Sequence, residues 1–272
     1  PFVNQQSVVD EGGYAWSSSD FDEYVNFDWI DISEDNSTLV FESNDASPGY
    51  FDIGFDFPFY GSDYNQLLIN PNGWIGFGDD NNEWDNESIF DDDSPKNAIL
   101  AYWDDFNPVS GDNTVGEGYV RYHSDNYRMV IWFDDVIHWT NNEIRHDFQI
   151  ILFPTGDIDI NYRSIQGVSN DGATIGIVNS DGDIGQQVPY DELDLSNELS
   201  ISYKISPEWI SLSQYSGNVA YQNSDDITIN IDMDGYDSGS YTAYMILESN
   251  ASANIVVPIS ANINQYLSGD LN

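Results

Sequence analysis

The chain of 272 residues is long enough for one large β-sandwich with a small second domain, or for two domains of medium size. Its 48 Asp and Glu against six Lys and Arg give a formal net charge of −42, which excludes nucleic acid as a partner because like charges repel. It has no Cys, which excludes disulfides and thiolate chemistry, and it has no apolar run of the length that membrane insertion needs.

Aspartate dominates the acidic residues, with 36 Asp against 12 Glu. Because Asp favours turns and metal-binding loops while Glu is the better helix former, we expect most of the negative charge in loops. Such a surface is soluble at high ionic strength and attracts divalent cations. We therefore expect a marine or saline, calcium-containing environment.

The apolar segments are short, rich in β-branched and aromatic residues, and bounded by Gly, Asn, Asp or Pro, which is typical of strands. A turn at Phe153–Asp157 predicts a hairpin, and the turn at Asn70–Gly73 has the same composition. The pattern predicts an all-β fold, a large antiparallel β-sandwich of jelly-roll-like character. In chain order the clearest predicted strands are Gln66–Asn70, Gly73–Phe77, Gly118–His123, Arg128–Phe133, His146–Phe153, Ile158–Arg163, Thr174–Val178 and Ser200–Ile205.

The strand spacing tightens near Ser206, where a second pattern begins with Trp209. We predict a large sandwich over residues 1–205 and a small immunoglobulin-like sandwich over residues 206–265. Residues 266–272 are predicted to be a linker or the start of a truncated segment. The predicted strands of the second domain are Asn218–Tyr221, Ile227–Ile231, Ser240–Glu248 and Asn254–Ile263.

Seven motifs follow one another in an order that resembles an accessory module of secreted, multi-domain bacterial proteins. That module occurs beside subtilisin-like and gingipain-like protease domains and in surface proteins. The resemblance covers about two-thirds of the chain and implies a β-sandwich of nidogen-like character, accessory rather than catalytic. The motifs are Gly12–Trp16, Trp29–Ser33, Gly54–Gly61, Asn72–Gly78, Ala101–Asp105, Phe148–Leu152 and Ala173–Ile177.

Two weaker resemblances concern the end of the chain. Residues Trp209–Ile263 resemble the immunoglobulin-like repeats of bacterial surface proteins. The last four residues, Gly269–Asn272, are similar to the opening of a dockerin-type calcium loop, in which alternate Asp and Asn side chains point oxygens at one ion. That resemblance implies Asp270 and Asn272 as calcium ligands.

No pattern in the sequence predicts catalysis. Nucleophile elbows, zinc-binding His-Glu-x-x-His and phosphate-binding Gly loops are absent, and the three His, at 123, 138 and 146, lack the spacing of a metal site. Asp237–Gly239 imitates an aspartic-protease triplet, but that chemistry needs two such carboxylates and the segment is typical of a hairpin turn. We therefore expect a protein that is not an enzyme.

Calcium is the cofactor that the acidic loops favour, because hard cations take six to eight oxygen ligands. Asp104 and Asp105 follow an apolar strand, and we predict either calcium binding, capping hydrogen bonds or a plain turn there. Asp181 and Asp183 flank Gly182 in a second candidate loop. Further acidic loops, for each of which a solvated turn is the simpler interpretation, are Asp79–Asp80, Asp91–Asp93 and Asp232–Asp234.

Exposed aromatic residues could bind sugars by stacking on their apolar faces. Trp84 stands among Asn81, Asn82, Glu83, Asp85 and Asn86 and is the first candidate, and Trp139 beside Asn141 and Asn142 is the second. The alternative is that each packs under its own loop. The other six Trp lie in apolar patterns that predict core packing.

Together with the resemblance, these patterns lead us to expect a non-catalytic structural or adhesive accessory module of a secreted or cell-surface bacterial protein. We expect it to be extracellular and stabilised by calcium. The alternatives are a carbohydrate-binding module and a self-assembling subunit of an extracellular fibre or surface layer. Expected partners are neighbouring domains of the same polypeptide, surface glycans or another surface protein, and further copies of the chain.

Overall fold

The fold is described from a computed structural model. The structure describes residues 7, 9–22, 25–35, 38–78, 82–108, 118–166, 172–189, 195, 198–206, 209–214, 219, 223–236, 238–249 and 252–264. Two compact units divide the chain, Pro1–Ile205 and Ser206–Asn272. Within the described part there is no helix of the length and apolarity that a membrane crossing requires.

Sixteen strands make up the regular structure of the described residues. They are β1 Tyr14–Ser18, β2 Tyr50–Phe59, β3 Ser62–Asn70, β4 Trp74–Gly76, β5 Ala98–Trp103, β6 Tyr119–Ser124, β7 Met129–His138, β8 Asn141–Leu152, β9 Ile158–Ile165, β10 Thr174–Val178, β11 Gly185–Gln187, β12 Leu199–Ile205, β13 Ile210–Leu212, β14 Ile229–Ile231, β15 Gly239–Ser249 and β16 Ser252–Ile263.

The first unit is a sandwich of two six-stranded sheets. The first sheet has the order β1-β12-β9-β8-β7-β6, and the second has the order β11-β10-β5-β4-β3-β2. Neighbouring strands pair in antiparallel fashion throughout both sheets. The predicted all-β class with an antiparallel sandwich is therefore confirmed.

The main core lies between the two sheets and is rich in aromatic rings. Phe133 and Phe148 come from neighbouring strands of the first sheet and stack with ring centroids 4.6 Å apart. Phe57, Phe59 and Phe77 form a second aromatic group, on the side of the other sheet. All of these side chains are buried. Stability without disulfides thus rests on large apolar areas removed from water.

Each sheet also carries a smaller apolar cluster on its outer face, under a covering segment. We call residues 25–35 the strap; with Trp29 and Ile30 it covers Trp132 and Ile151 of the first sheet. We call residues 82–96 the cover loop; its Ile89 is buried among side chains of the second sheet, including Trp74 and Trp103. The sandwich therefore has apolar layers on both sides of each sheet, which accounts for strands buried on both faces, such as β5.

Two turns predicted from composition are confirmed. In the hairpin between β8 and β9, the Phe153 N–H donates to Asp157 O at 3.1 Å and the Gly156 N–H donates to Phe153 O at 2.9 Å. In the turn between β3 and β4, Gly73 has φ +81°. A Cβ atom there would lie 2.1 Å from the Tyr102 carbonyl oxygen, so both the conformation and the space require glycine.

The second unit contains two antiparallel pairs among its described residues, β13 with β14 and β15 with β16. Trp209 is buried and meets the ring of Tyr241 edge-on, with centroids 6.4 Å apart. Tyr241 also meets Tyr236 edge-on at 5.3 Å. Of the predicted strand Asn218–Tyr221, only residue 219 lies within the described residues, and it is not in a strand.

Candidate functional site

A buried polar region lies where β5 ends, and three parts of the chain meet there. Asp104 and Asp105 follow β5 directly, His138 ends β7, and Asn72 lies in the turn between β3 and β4. The Asp104 N–H donates to Asn72 O at 3.2 Å, and the Phe106 N–H donates to the Asn72 side-chain oxygen at 3.0 Å. Backbone bonds thus hold the end of β5 against the turn.

His138 and Asp104 form a buried pair that links the two sheets. Nε2 of His138 lies 3.3 Å from Oδ1 of Asp104, and both side chains are less than 10% exposed. The Thr140 N–H donates to Nδ1 of His138 at 3.1 Å, so in the neutral ring Nε2 carries the proton and donates it towards Asp104. The carboxylate of Asp104 raises the pKa of His138, an effect that burial opposes.

Asp105 lies next to this pair and is surrounded by negative charge. Burial, assisted by the charges of Asp45, Asp104 and Asp85, raises its pKa to about 6, while His138 works in the opposite direction. Its backbone oxygen accepts the Trp139 N–H at 2.8 Å. A carboxyl group with this pKa exchanges a proton near neutral pH, and it would also gain from a nearby cation.

This backbone hydrogen bond places Trp139, the second predicted sugar-binding residue, beside Asp105, a predicted calcium ligand. It stands at the tip of the β7–β8 hairpin and is 50% exposed. The tip is held to the end of β5 by the Trp139 N–H bond, by the His138–Asp104 pair and by the Asn107 N–H, which donates to Ile137 O at 3.0 Å. The aromatic ring is presented by a fixed backbone.

A cleft with acidic walls, about 190 Å³ in volume, lies between the cover loop and the second sheet. Trp103 forms part of its wall, and its indole N–H donates to Glu83 O at 3.2 Å. Trp84 follows Glu83 in the chain and is 48% exposed. The other lining residues are Asp85, Glu87, Asp93 and Ser94.

The cover loop is tied to its surroundings along its length. Ser94 donates its hydroxyl to Ser88 O at 2.6 Å, and Lys96 donates to the carbonyl oxygens of Ile89 and Asp91. Thr174 donates its hydroxyl to Glu87 O at 2.6 Å. Within the loop, the Asp91 carboxylate accepts a hydrogen bond from the protonated Glu87 carboxyl, which raises the pKa of Glu87. The predicted acidic loop Asp91–Asp93 is therefore an ordered turn beside the cleft.

The predicted candidates Asp181 and Asp183 lie in a turn organised by Asn179. Its side-chain oxygen accepts the N–H groups of Gly182, Asp183 and Ile184 at 2.8, 3.1 and 3.2 Å. Its amide nitrogen donates to the Asp183 carboxylate at 2.8 Å. In this turn one side-chain amide supplies the hydrogen-bond partners of three backbone N–H groups and of one carboxylate.

The remaining metal candidates divide into two groups. Asp232 accepts the Asp234 N–H at 3.0 Å in an exposed turn. Asp79, Asp80, Asp270 and Asn272 lie outside the described residues. Within the described ranges, no group of three or more Asp, Glu and His side chains is placed to hold one ion. A calcium ion in this part of the chain would depend on pairs of carboxylates completed by carbonyl, amide or water oxygens.

One polar cluster under the strap was not predicted from the sequence. Arg163 lies over the ring of Trp29 at 4.3 Å and over that of Trp132 at 5.2 Å, and it pairs with Asp147. The indole N–H of Trp132 donates to Asp147 at 2.7 Å. Gln149 adds two hydrogen bonds between the first sheet and the strap: its side-chain amide accepts the Ile30 N–H and donates to the Ile30 carbonyl oxygen. The sequence offered one signal for this cluster. Because the chain has only six Lys and Arg against 48 acidic residues, each Arg is expected to pair with a particular carboxylate.

Comparison with known proteins gives one match. A family model described as NIDO related covers residues 20–222, about three-quarters of the chain. No curated protein and no solved structure matches. The family match confirms the nidogen-like part of the resemblance found in the motifs, while the protease-associated setting and the dockerin-like end stay predictions.

Proposed function

Because this chain belongs to the NIDO-related family, we propose that it is a non-catalytic accessory module of a secreted or cell-surface protein, with a structural or adhesive role. Domains of this type are accessory modules and are typically extracellular. The module would support neighbouring domains of its own polypeptide and present a rigid surface to other molecules. The net charge of −42 suits a saline, calcium-containing exterior, where salt screens self-repulsion.

The observation that carries this proposal is how the buried polar side chains are used. His138 accepts a backbone N–H and faces Asp104, while Asp104 in turn accepts the Asp105 N–H at 2.9 Å. Gln149 and Asn161 are bonded to backbone groups of the strap. These buried polar side chains are thus engaged in holding loops to the two sheets, as expected of a scaffold.

A glycan array with the full chain tests the proposal against the carbohydrate-binding alternative. A structural module should give no saturable binding. The free energies of unfolding of Trp84→Ala and Trp139→Ala should lie within about 0.5 kcal/mol of the wild-type value, because each ring is half exposed. Tyr127→Ala is the matched control, since Tyr127 is an exposed aromatic residue that precedes β7, whereas Trp139 follows that strand.

The carbohydrate-binding alternative has a specific observation in its favour. Trp84 stands half exposed between Glu83 and Asp85, two residues that line the acidic cleft. A ring for stacking next to carboxylates that accept hydroxyl hydrogen bonds is the usual chemistry of sugar recognition. Saturable binding that is lost in Trp84→Ala but kept in Tyr127→Ala would establish this alternative and overturn the structural proposal.

Calcium stabilisation is a second part of the proposal. The acidic walls of the cleft and the negative charges of Asp45 and Asp104 near Asp105 support it, because a cation beside a pair of these carboxylates would offset their mutual repulsion. Binding to the folded state should raise the midpoint of thermal unfolding as calcium is added at constant ionic strength. An unchanged midpoint in calcium and in EDTA would show that the calcium part is wrong.

A further inference from the structure

Two buried polar side chains from different sheets carry hydrogen-bonding atoms that no described residue satisfies. Asp104 follows β5 of the second sheet and is 3% exposed. Its Oδ1 faces His138 and accepts the Asp105 N–H, but its Oδ2 meets no partner in the described part of the chain. His146, on β8 of the first sheet, is 1% exposed, and both of its ring nitrogens likewise lack a partner among the described residues. Burial removes the water to which such groups bond in the unfolded chain, so each needs a partner in the folded chain.

The packing at the end of β5 brings His146 near Asp104. The His146 ring contacts the rings of Tyr102 and Phe106, with centroids 5.0 and 5.1 Å apart, and these two residues flank Asp104 in the chain. Burial lowers the pKa of His146, and the negative charge of Asp104 acts against that effect, so the two groups lie within electrostatic reach. Because Asp104 Oδ2 and the ring nitrogens do not bond each other directly, a gap wider than one hydrogen bond separates them.

The chemistry of the two groups decides what fits this gap. A carboxylate oxygen only accepts hydrogen bonds, whereas a neutral imidazole has one N–H donor and one acceptor nitrogen. An anion would be repelled by Asp104, and the described ranges offer no set of three Asp, Glu and His side chains for a metal ion. A small neutral molecule that donates and accepts satisfies both groups, and water is the molecule that buried polar sites of globular proteins ordinarily hold.

We propose that one ordered water molecule bridges Asp104 and His146. The water accepts the ring N–H of His146 and donates a hydrogen to Oδ2 of Asp104, which gives each buried group a partner. It connects β8 of the first sheet to the end of β5 in the second, and it extends the His138–Asp104 pair into a chain of four groups. The site is independent of what the module binds, so its failure would leave the accessory role standing.

High-resolution crystal structures of the full chain, grown in EDTA, test the proposal directly. We expect an ordered water at about 2.7 to 3.2 Å from both Asp104 Oδ2 and one ring nitrogen of His146. Direct contact between these two atoms, or no ordered water between them, overturns the proposal. A calcium ion at this place would also overturn it, and would show six or more oxygen ligands at about 2.3 to 2.6 Å that are lost in EDTA.

Two variants show whether His146 holds the water. Crystals of His146→Phe should lose it, because the ring that replaces the imidazole has no hydrogen-bonding atom. Crystals of His123→Gln should keep it, because the side chain of His123 is 41% exposed and lies outside this buried contact. A water that remains in His146→Phe is held by other groups, and this result contradicts the proposal.

A double-mutant cycle provides a readout in solution. At pH 7 the imidazole of His146 is neutral, so charge attraction to Asp104 contributes little, and the two side chains are coupled through the shared water. Asp104→Ala and His146→Phe together should therefore lose less stability than the sum of the two single losses. The control cycle of Asp104→Ala with His123→Gln should be additive. Additive losses in both cycles, or equal coupling in both, would count against the bridging water.

Discussion

At the scale of single residues, Gly73 is the clearest case of a position that only one residue type can occupy. It shares a left-handed backbone conformation with Gly61, whose φ is +77°, but the two differ in the space around them. A Cβ at Gly73 would lie 2.1 Å from the Tyr102 carbonyl oxygen, whereas nothing lies within 4 Å of a Cβ at Gly61.

Replacing Gly61 and Gly73 by Ala, one at a time, distinguishes the cost of backbone strain from the cost of a steric clash. Gly61→Ala should lower the free energy of unfolding by about 1 to 2 kcal/mol, the usual strain of a left-handed alanine. Gly73→Ala adds a backbone clash and should cost at least about 3 kcal/mol more, or prevent folding. Denaturant titration of both variants measures the difference. Equal losses would mean that the turn shifts freely and that its contact with Tyr102 is unimportant.

His146 is a residue whose burial should control acid stability. It is 1% exposed, it packs against Tyr102 and Phe106, and neither ring nitrogen meets a hydrogen-bond partner within the described residues. Burial lowers its pKa to about 4. The unfolded chain takes up this proton below about pH 6.5 and the folded chain does not, so stability is lost as the pH falls from about 6.5 towards 4.

His146→Phe should remove that loss. Between pH 7 and pH 4.5 the wild type should lose about 2 kcal/mol relative to His146→Phe. His123→Gln serves as the control for replacing a histidine at an exposed position, because the side chain of His123 is 41% exposed. The comparison between variants removes the effect of protonating the many carboxylates, which all three proteins share. Parallel stability curves for the wild type and His146→Phe would contradict the account.

At the scale of elements, the strap shows how one side chain can hold a whole segment. Gln149 is fully buried; it accepts the Ile30 N–H at 3.2 Å and donates to Ile30 O at 2.6 Å. Gln149→Leu keeps the size but leaves both backbone groups without a partner, which should cost about 2 kcal/mol or more. Faster hydrogen exchange at the Ile30 amide is the specific readout.

Gln66→Leu is the matched control for the strap. Gln66 lies on β3 and donates to Asp52 in an exposed hydrogen bond, so its replacement should change stability by less than about 0.5 kcal/mol. If Gln149→Leu behaves like this control, the strap is held by its apolar contacts with Trp132 and Ile151 and not by Gln149.

Strands with regular local patterns were predicted well, and irregular ones were not. Thr174–Val178 and the Phe153–Asp157 hairpin follow from β-branched residues and from Pro and Gly in the turn. β2 did not appear among the predicted strands because its register shifts between Asp52 and Phe57, around Gly54 at φ +89°. A bulge of this kind breaks the alternation by which a strand is recognised.

Segments that cover the outer faces could not be predicted from local pattern. The strap bonds to partners 119 and 133 residues away, Gln149 and Asn161. The same holds in the candidate site, where Asp104 was predicted as a functional position but its pairing with His138, 34 residues away, was not. Such contacts depend on the order of strands in the sheets, which the sequence pattern does not specify.

At the scale of the whole molecule, the few positive charges lie beside carboxylates of the same chain. Arg121, Arg145, Arg163 and Lys204 each lie within 4 Å of an Asp carboxylate, so most of the few cations are neutralised by the chain itself. The acidic surface that remains is carried by a sandwich whose core and two outer clusters contain most of its large apolar residues. We propose that the polar residues within this frame hold it together and do not perform chemistry.

The most direct test of that claim is a double-mutant cycle on Asp104→Asn and His138→Gln. Residues kept for catalysis often reduce stability, so their replacement can leave a protein equally or more stable. A buried pair that joins two sheets behaves in the opposite way: each single variant should lose about 2 to 4 kcal/mol, with a coupling energy of about 2 kcal/mol between them. Variants as stable as the wild type, or more stable, would contradict the scaffold account and mark the pair as a functional site.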